Sequence, residues 1–310
     1  MNIKIRKIVI ACFKKDMFLL RPCVASVRYW YPDAEIFLLK DIIKGDFSLD
    51  EFVEHWECKI FETDMKKFGW PWSKLSVLLK EEDDRFLFLD SDTVLLGPVL
   101  DELEKFEEDF IVTGAVITDP LDENFTFNYI DYTRIKEEFD PEYQFPGYGF
   151  NGGHIVMRSG IFKKPNFTKL ISFEPTIKSL YPLIFKHGDQ GCLNYIFTKA
   201  AEEKRITLKY HDFWVWPELP VVNTFELSRI KDRTGYPIIM HWAGVKWVDY
   251  RDYSRYDILR FYSKYYYSKI PLGKIKYLMN HWKILLIAKL KLLKYNLLGM
   301  KYSKPPKRNY

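Results

Sequence analysis

The chain has 310 residues, 47% hydrophobic and 29% charged, with a formal net charge of +5. That length and apolar content suit one large domain or two small ones and exclude wholesale disorder. The four cysteines, Cys12, Cys23, Cys58 and Cys192, form no CxxC pair, which excludes a disulfide framework or a zinc pattern.

In chain order, Ile5 to Phe13 reads as a first strand, Met17 to Tyr31 as a helix with apolar spacing, and Ile36 to Leu39 as a second strand. Strand, helix and strand of these lengths make a βαβ unit, and hence a parallel sheet in an α/β fold. Trp72 to Lys80 reads as a helix leading into Arg85 to Val99. Within that stretch Phe86 to Leu89 is apolar at every position, as in a strand covered on both faces. Leu100 to Lys105 follows a Gly97-Pro98 turn as a short helix, and Phe110 to Val116 is another strand. Asp119 to Gly149 is polar, aromatic and rich in turn residues, a loop-rich insertion of the kind that carries function. Phe150 to Met157 restores a strand, Asp189 to Thr198 a helix, and Pro237 to Trp242 a last strand. The 24 Phe, 21 Tyr and 9 Trp fit either stacking surfaces for sugars or bases, or the codon bias of the genome.

Charge is distributed unevenly. Thirteen of the 47 Lys and Arg, and none of the 42 Asp and Glu, lie from Ile258 to Tyr310, so an acidic body carries a basic tail. Lys274 to Leu298 has a helical pattern, with Lys276, Lys283, Lys291 and Lys294 on one face, Lys289 off it, and Leu, Ile, Trp and Met on most of the rest. Lysines recur too often for a bilayer span. The segment reads as an interfacial helix on anionic lipid, with Trp282 and Tyr265 to Tyr267 at headgroup level. A helix packed on the body, or a phosphate-binding arm, are the alternatives. The Leu-rich face disfavours the arm, so no nucleic acid is expected as a partner. The expected division is residues 1–257 as the main domain and 258–310 as a membrane-associating tail. The opening apolar run is too short for a signal-peptide core. The expected location is the cytoplasm, at the inner face of the membrane. The sequons at Asn124 and Asn166 then count as chance matches.

Asp90 and Asp92 directly follow the Phe86 to Leu89 strand. Open α/β sheets bind ligands at the carboxyl ends of their strands, and an Asp-x-Asp there offers hard oxygen ligands for a divalent cation holding a diphosphate. Alone, the pair could be a solvated turn. Downstream, FNGGHIVM brings Asn151, Gly152 and Gly153, whose glycines let a ligand approach the backbone. HGDQGCLN brings Asp189 and Gln190 at a helix start, where Asp189 could equally be an N-cap. IIMHWAGVKW brings His241, Gly244, Lys246 and Trp247, and WSKLSVLL brings Lys74. His241 could be a core histidine and Lys246 a surface lysine.

These segments, in this order, resemble the family-8 type of glycosyltransferase, the GT-A fold group that contains lipopolysaccharide galactosyltransferases and glycogenin. That family shows YLDxD after a strand, FNxG, DQ before an LN-containing helix, and a late HxxGxxKPW; the resemblance covers most of Lys4 to Trp247. It implies a GT-A nucleotide-diphospho-sugar transferase fold, with a mixed, mostly parallel sheet flanked by helices. It also implies a metal-dependent transferase using a nucleotide sugar, a UDP-sugar in the first instance, with retention of anomeric configuration. Asp90, Asp92 and His241 would then hold the metal, and the imidazole favours Mn²⁺ over Mg²⁺. Asp189 and Gln190 would face the reaction centre. Asn151, Gly152, Gly153, Gly244 and Ser91 would line the donor site, Lys246 would neutralise the leaving diphosphate, and Lys74 would stand where the family has a donor-contacting arginine. Ala11 and Cys12, which end the first strand, and Asp16 beyond it would meet the nucleotide base and ribose. The expected acceptor is a glycan or lipid-linked glycan, in polysaccharide or lipopolysaccharide biosynthesis. The sequence departs from the family in HWAGVKW, which is one residue shorter before the lysine and lacks the proline. Competing classes are a sugar-phosphate nucleotidyltransferase, disfavoured because IVIACFKKD lacks a glycine-rich phosphate loop, and a non-catalytic carbohydrate- or lipid-binding protein on a transferase scaffold.

Overall fold

The structure is a computed structural model that describes residues 4–43, 45–64, 68–69, 71–244 and 250–299. Its strands are β1 (Lys7–Phe13), β2 (Glu35–Asp41), β3 (Lys59–Ile60), β4 (Arg85–Asp90), β5 (Thr93–Leu95), β6 (Phe110–Val112), β7 (Gly114–Val116), β8 (Tyr148–Phe150), β9 (His154–Arg158), β10 (Ile171–Ser172), β11 (Lys178–Ser179), β12 (Leu208–Tyr210), β13 (Trp214–Val215) and β14 (Ile239–His241). Its helices are α1 (Met17–Trp30), α2 (Asp50–Trp56), α3 (Ser73–Leu78), α4 (Val99–Leu103), α5 (Glu123–Asn128), α6 (Tyr132–Arg134), α7 (Asp189–Glu202), α8 (Leu227–Lys231), α9 (Tyr256–Ser268) and α10 (Gly273–Leu297).

The central sheet has seven strands in the order β12-β6-β9-β4-β1-β2-β3. Only β9 runs against its neighbours; the other pairings are parallel. Alternation along the strands shows that both faces are covered. Ile8, Ile10, Leu87 and Leu89 join one core with α1 and α9, while Val9, Phe86, Phe88 and Phe110 join a second core with α3 and α7. A side-chain period of two with apolar residues in both phases is what a doubly covered strand requires. The buried Arg85 at the start of β4 donates to the carbonyls of Phe106 and Glu108 at 2.9 and 3.0 Å.

Two expected strands are each broken, at the same place. Phe110 to Val116 divides at Thr113 into β6, which stays in the central sheet, and β7, which pairs with β8. Phe150 to Met157 divides at Asn151–Gly153 into β8 and β9. The two breaks face each other, because the Asn151 amide donates to the Thr113 carbonyl at 2.9 Å. The expected loop-rich insertion is a packed unit. It contains α5 and α6, and its Phe125, Ile130, Ile135 and Tyr143 are buried in the second core. Many of the chain's aromatic residues are therefore core.

The expected boundary after residue 257 falls two residues inside α9. That helix packs along α1 with Ile258, Leu259, Tyr262 and Tyr266 buried. The Tyr262 hydroxyl donates to the Leu95 carbonyl at 2.6 Å and accepts from Trp30 Nε1 at 2.9 Å. Tyr266 stacks on Trp56 at 4.8 Å and donates to Glu51 at 2.7 Å, and Glu51 also accepts from Arg21. Periodicity misses α9 because its buried face is tyrosine, whose apolar ring and polar tip read as mixed. Tyr262→Ala is expected to cost about 3–5 kcal/mol through the cavity it leaves, and Tyr262→Phe about 1 kcal/mol through the lost hydroxyl. Urea denaturation checks both, and near-equal midpoints for Tyr262→Ala and wild type would contradict this packing.

Candidate functional site

The carboxyl end of the sheet gathers the predicted residues. Ala11 of β1 lies in register with Asp90 at the end of β4, and the Ser91 amide donates to the Ala11 carbonyl at 3.1 Å. Because β9 is antiparallel to β4, with Leu89 opposite His154, the residues just before β9 arrive at this same end. The Asp90 amide accordingly donates to the Gly153 carbonyl at 2.7 Å. After Asp92 the chain turns into β5, which pairs antiparallel with β14 so that Thr93 lies opposite His241. The Trp242 amide then donates to the Asp92 carbonyl at 2.9 Å.

Asp90, Asp92 and His241 offer ligand atoms that all lie within 4.8 Å of one another. His241 Nε2 is 3.1 Å from Asp92 Oδ1, and His241 is 2% exposed. Yet both imidazole nitrogens are buried with no hydrogen bond among the described residues. Two groups facing each other without a hydrogen bond suit two ligands of one ion. Gly153 closes the other side, since a Cβ there would stand 2.4 Å from His241 Cε1 and 2.9 Å from Asp90 Oδ2. That crowding, more than ligand access, is what requires glycine at this position.

Lys74 lies beside this group, buried, with Nζ 2.8 Å from Asp189 Oδ2 and 4.0 Å from Asp90 Oδ1. Burial works against its ammonium, but the carboxylates of Asp189, Asp90 and Asp92 outweigh burial and hold it above the ordinary lysine value. Burial pushes the Asp189 carboxyl up to about 6, and Lys74 offsets only part of that. Gly188 is the N-cap of α7, so Asp189 is its first residue and its side chain is spent on Lys74. Gln190 is held at both ends of its amide. Its Nε2 donates to the Asn128 carbonyl at 2.8 Å, and its Oε1 accepts from the Gly152 amide at 3.1 Å. Asn194, one turn on, accepts from the Phe150 amide and donates to the Phe150 carbonyl, both at 2.9 Å, tying α7 to β8.

One cavity of about 370 Å³ joins these groups to the end of β1. Ala11, Cys12 and Asp16 line it with Ser91, and Ser91 Oγ approaches Asp16 Oδ2 at 3.4 Å. Burial pushes the Cys12 thiol up, so it stays protonated and unreactive. Asn151, Gly152, Gly153 and Gly244 line the cavity with the aspartates, Lys74, Gln190 and His241. Lys246 and Trp247 lie outside the described residues. The residue-by-residue expectations did not include Asp41, Ser73 and His187, which also line it. Asp41 ends β2 one register step beyond Cys12, a position that the strand pattern could have flagged. Five carboxylates, Asp16, Asp41, Asp90, Asp92 and Asp189, thus face one lysine among the described residues. A cavity lined in this way favours a cation.

The fold is shared with solved glycosyltransferase structures. The apo structure of the bifunctional glycosyltransferase WbbM matches with a TM-score of 0.56 at 13% identity, covering 92% of this chain and 52% of that one. The chain therefore spans about half the length of WbbM. The galactosyltransferase LgtC, in complex with donor and acceptor sugar analogues, matches with a TM-score of 0.50 at 16% identity, covering 86% of this chain and 97% of that one. No protein-family profile and no curated protein matches the chain. The fold is thus that of the GT-A glycosyltransferases, a mixed and mostly parallel sheet flanked by helices.

Proposed function

We propose that this protein is a metal-dependent glycosyltransferase that moves a sugar from a nucleotide-diphosphate sugar, in the first instance a UDP-sugar, to a glycan or lipid-linked glycan, with retention. The observation that carries the reading is the convergence of Asp90, Asp92 and His241 with Lys74, Asp189 and Gln190 on one cavity of nucleotide-sugar size. Asp90, Asp92 and His241 would hold Mn²⁺ or Mg²⁺; two carboxylates and an imidazole suit Mn²⁺. The bound ion would neutralise charge on the donor's two phosphates and on the leaving diphosphate. Ala11, Cys12 and Asp16 line the end of the cavity proposed for the base and ribose, with Ser91 and Asn151 to Gly153 along the donor and Gly244 at its edge. The role proposed for Lys246, which lies outside the described residues, is to neutralise the leaving diphosphate.

Gln190, with both ends of its amide engaged, is a fixed and weakly nucleophilic group beside the reaction centre. A front-face transfer fits it better than a covalent intermediate. The acceptor oxygen bonds to the anomeric carbon as the bond from that carbon to the phosphate oxygen breaks, and the acceptor proton passes to that phosphate oxygen. Lys74 lies between Asp90 and Asp189, so its proposed role is to keep these carboxylates from repelling each other at the donor site.

The tail keeps its proposed role at a membrane surface. Among the described residues no helix is long and apolar enough to cross a bilayer. Along α10, Tyr277, Ile284, Leu285 and Leu292 are partly buried and Ala288 is buried, so one face rests on the body. Ile275, Met279, Trp282, Leu286, Leu290 and Leu293 form a second apolar stripe that is exposed. Lys276, Lys283 and Lys294 run beside that stripe at helical spacing, as in a helix lying in the headgroup layer.

Three outcomes follow. Hydrolysis and transfer from a panel of nucleotide sugars should require Mn²⁺ or Mg²⁺, and Asp92→Ala should lower turnover by about a hundredfold or more; a chain that turns over no donor, or an Asp92→Ala variant equal to wild type, sinks the transferase reading. Lys74→Met should destabilise the fold by about 3 kcal/mol in urea denaturation by leaving Asp189 unpaired, and adding Asp189→Asn should restore most of it; no recovery in the double variant would deny the pairing. Sedimentation with anionic vesicles should weaken with salt and drop when Leu286→Asp and Leu293→Asp are combined, and unchanged binding would remove α10 from the membrane role.

A further inference from the structure

We infer that Trp216 is a positioning residue for His241, and that a closed set of four rings fixes the plane of this imidazole where a hydrogen bond ordinarily would. The inference rests on the reading of Asp90, Asp92 and His241 as a metal site. A histidine that ligates a metal through one nitrogen usually donates its other N–H to a carboxylate, a carbonyl or water, which sets both tautomer and orientation. Among the described residues neither nitrogen of His241 has such a partner, although the side chain is almost fully buried. The torsion that turns an imidazole is broad, so without a hydrogen bond the ring needs walls.

The walls are present. The Trp216 ring lies on His241 with centroids 5.2 Å apart and planes 29° from parallel. His154 meets His241 edge-on, at 5.3 Å and 89°. Trp214 joins these two flanking rings to each other, at 4.4 Å and 82° to Trp216 and at 5.0 Å and 32° to His154. Each ring of the set therefore touches two others. The Gly153 backbone closes the side at Cε1, so rotation of His241 meets an indole face, an imidazole edge or a main chain. Nε2 is thereby kept toward Asp92. Trp214 lies on β13, the strand that pairs with β14, and Trp216 follows two residues later, so the strand pairing that sets His241 also delivers both indoles.

The test is Mn²⁺ binding to the full chain, followed by the EPR signal of the free ion. Trp216→Leu keeps apolar bulk but removes the flat face, and is expected to bind Mn²⁺ about tenfold to a hundredfold more weakly than wild type. Trp216→Phe restores a flat ring and should bind within a few-fold of wild type, a rescue that a merely structural role would not give. Circular dichroism and urea midpoints report whether each variant is folded. If Trp216→Leu does not fold, Trp214→Leu, which removes the ring supporting Trp216 from behind, gives the same readout with a smaller loss. Equal Mn²⁺ affinity in the folded leucine variant and wild type overturns the positioning role and leaves the metal reading standing. A wild-type chain that binds no Mn²⁺ overturns the metal reading and this inference with it.

Discussion

Strand β4 is covered on both faces, so the chain can bring charge out of the core only where that strand ends. Asp90 occupies that point, and the rest of the site is arranged around it. The parallel neighbour β1 ends alongside, the antiparallel β9 begins there, and β5 turns away to meet β14. His241 reaches Asp92 through this last pairing, although 149 residues of sequence separate them. A shift of one residue in the β5–β14 register would turn the imidazole to the opposite face of its sheet, because side chains alternate with a period of two. The site is thus a consequence of strand register before it is a consequence of side-chain chemistry.

Its electrostatics follow from the same crowding. Carboxylates delivered by the turn after β1, by β2, β4, the turn after β4 and α7 converge on one cavity. Lys74, packed over the Phe88 ring and bonded to Asp189, compensates for one of them. The remaining excess is the physical ground for expecting a divalent cation, and it explains why a phosphate-bearing ligand would bind together with one. It also accounts for the positions of the glycines. Gly153 is filled from outside by His241 and Asp90, while at Gly152 a Cβ would meet Lys74 at 3.2 Å.

The parts of this arrangement legible in the sequence are those with a local signature. The uninterrupted apolar run before Asp90 identified the central strand, and the spacing of Met17 to Tyr31 identified α1 almost to the residue. The segments carrying Asn151, Asp189, Gln190 and His241 were recognisable as groups, and the structure brings all of them to one cavity. What was not legible depends on pairing between distant strands. The break at Thr113 looks like any strand residue until its carbonyl is seen to receive Asn151. That Asp189 pairs with Lys74, 115 residues earlier, was not among the expected roles, since nothing in the local sequence brings the two together. His154 reads as an ordinary strand residue, Trp214 and Trp216 fall in no expected element, and only the juxtaposition of β9, β13 and β14 makes them a set around His241.

The body does not end where the charge distribution suggests. Basic character begins near Ile258, but α9 is a structural part of the sheet that carries the site. Its Tyr262 hydroxyl donates to the carbonyl of Leu95, and the amide of Leu95 donates to the Ser26 hydroxyl of α1 at 3.0 Å. Leu95 lies on β5, which holds β14 and therefore His241 in register. The contacts that support this strand thus come from both α1 and a helix more than 160 residues later, and the support is complete only once α9 has docked. Charge marks where the chain changes its surface, whereas the limit of the fold is set by the buried tyrosines. The change to a helix that rests one face on the body and exposes an apolar stripe on another accordingly falls at the turn between α9 and α10, where Ile270 is still buried and Leu272 is already open to solvent.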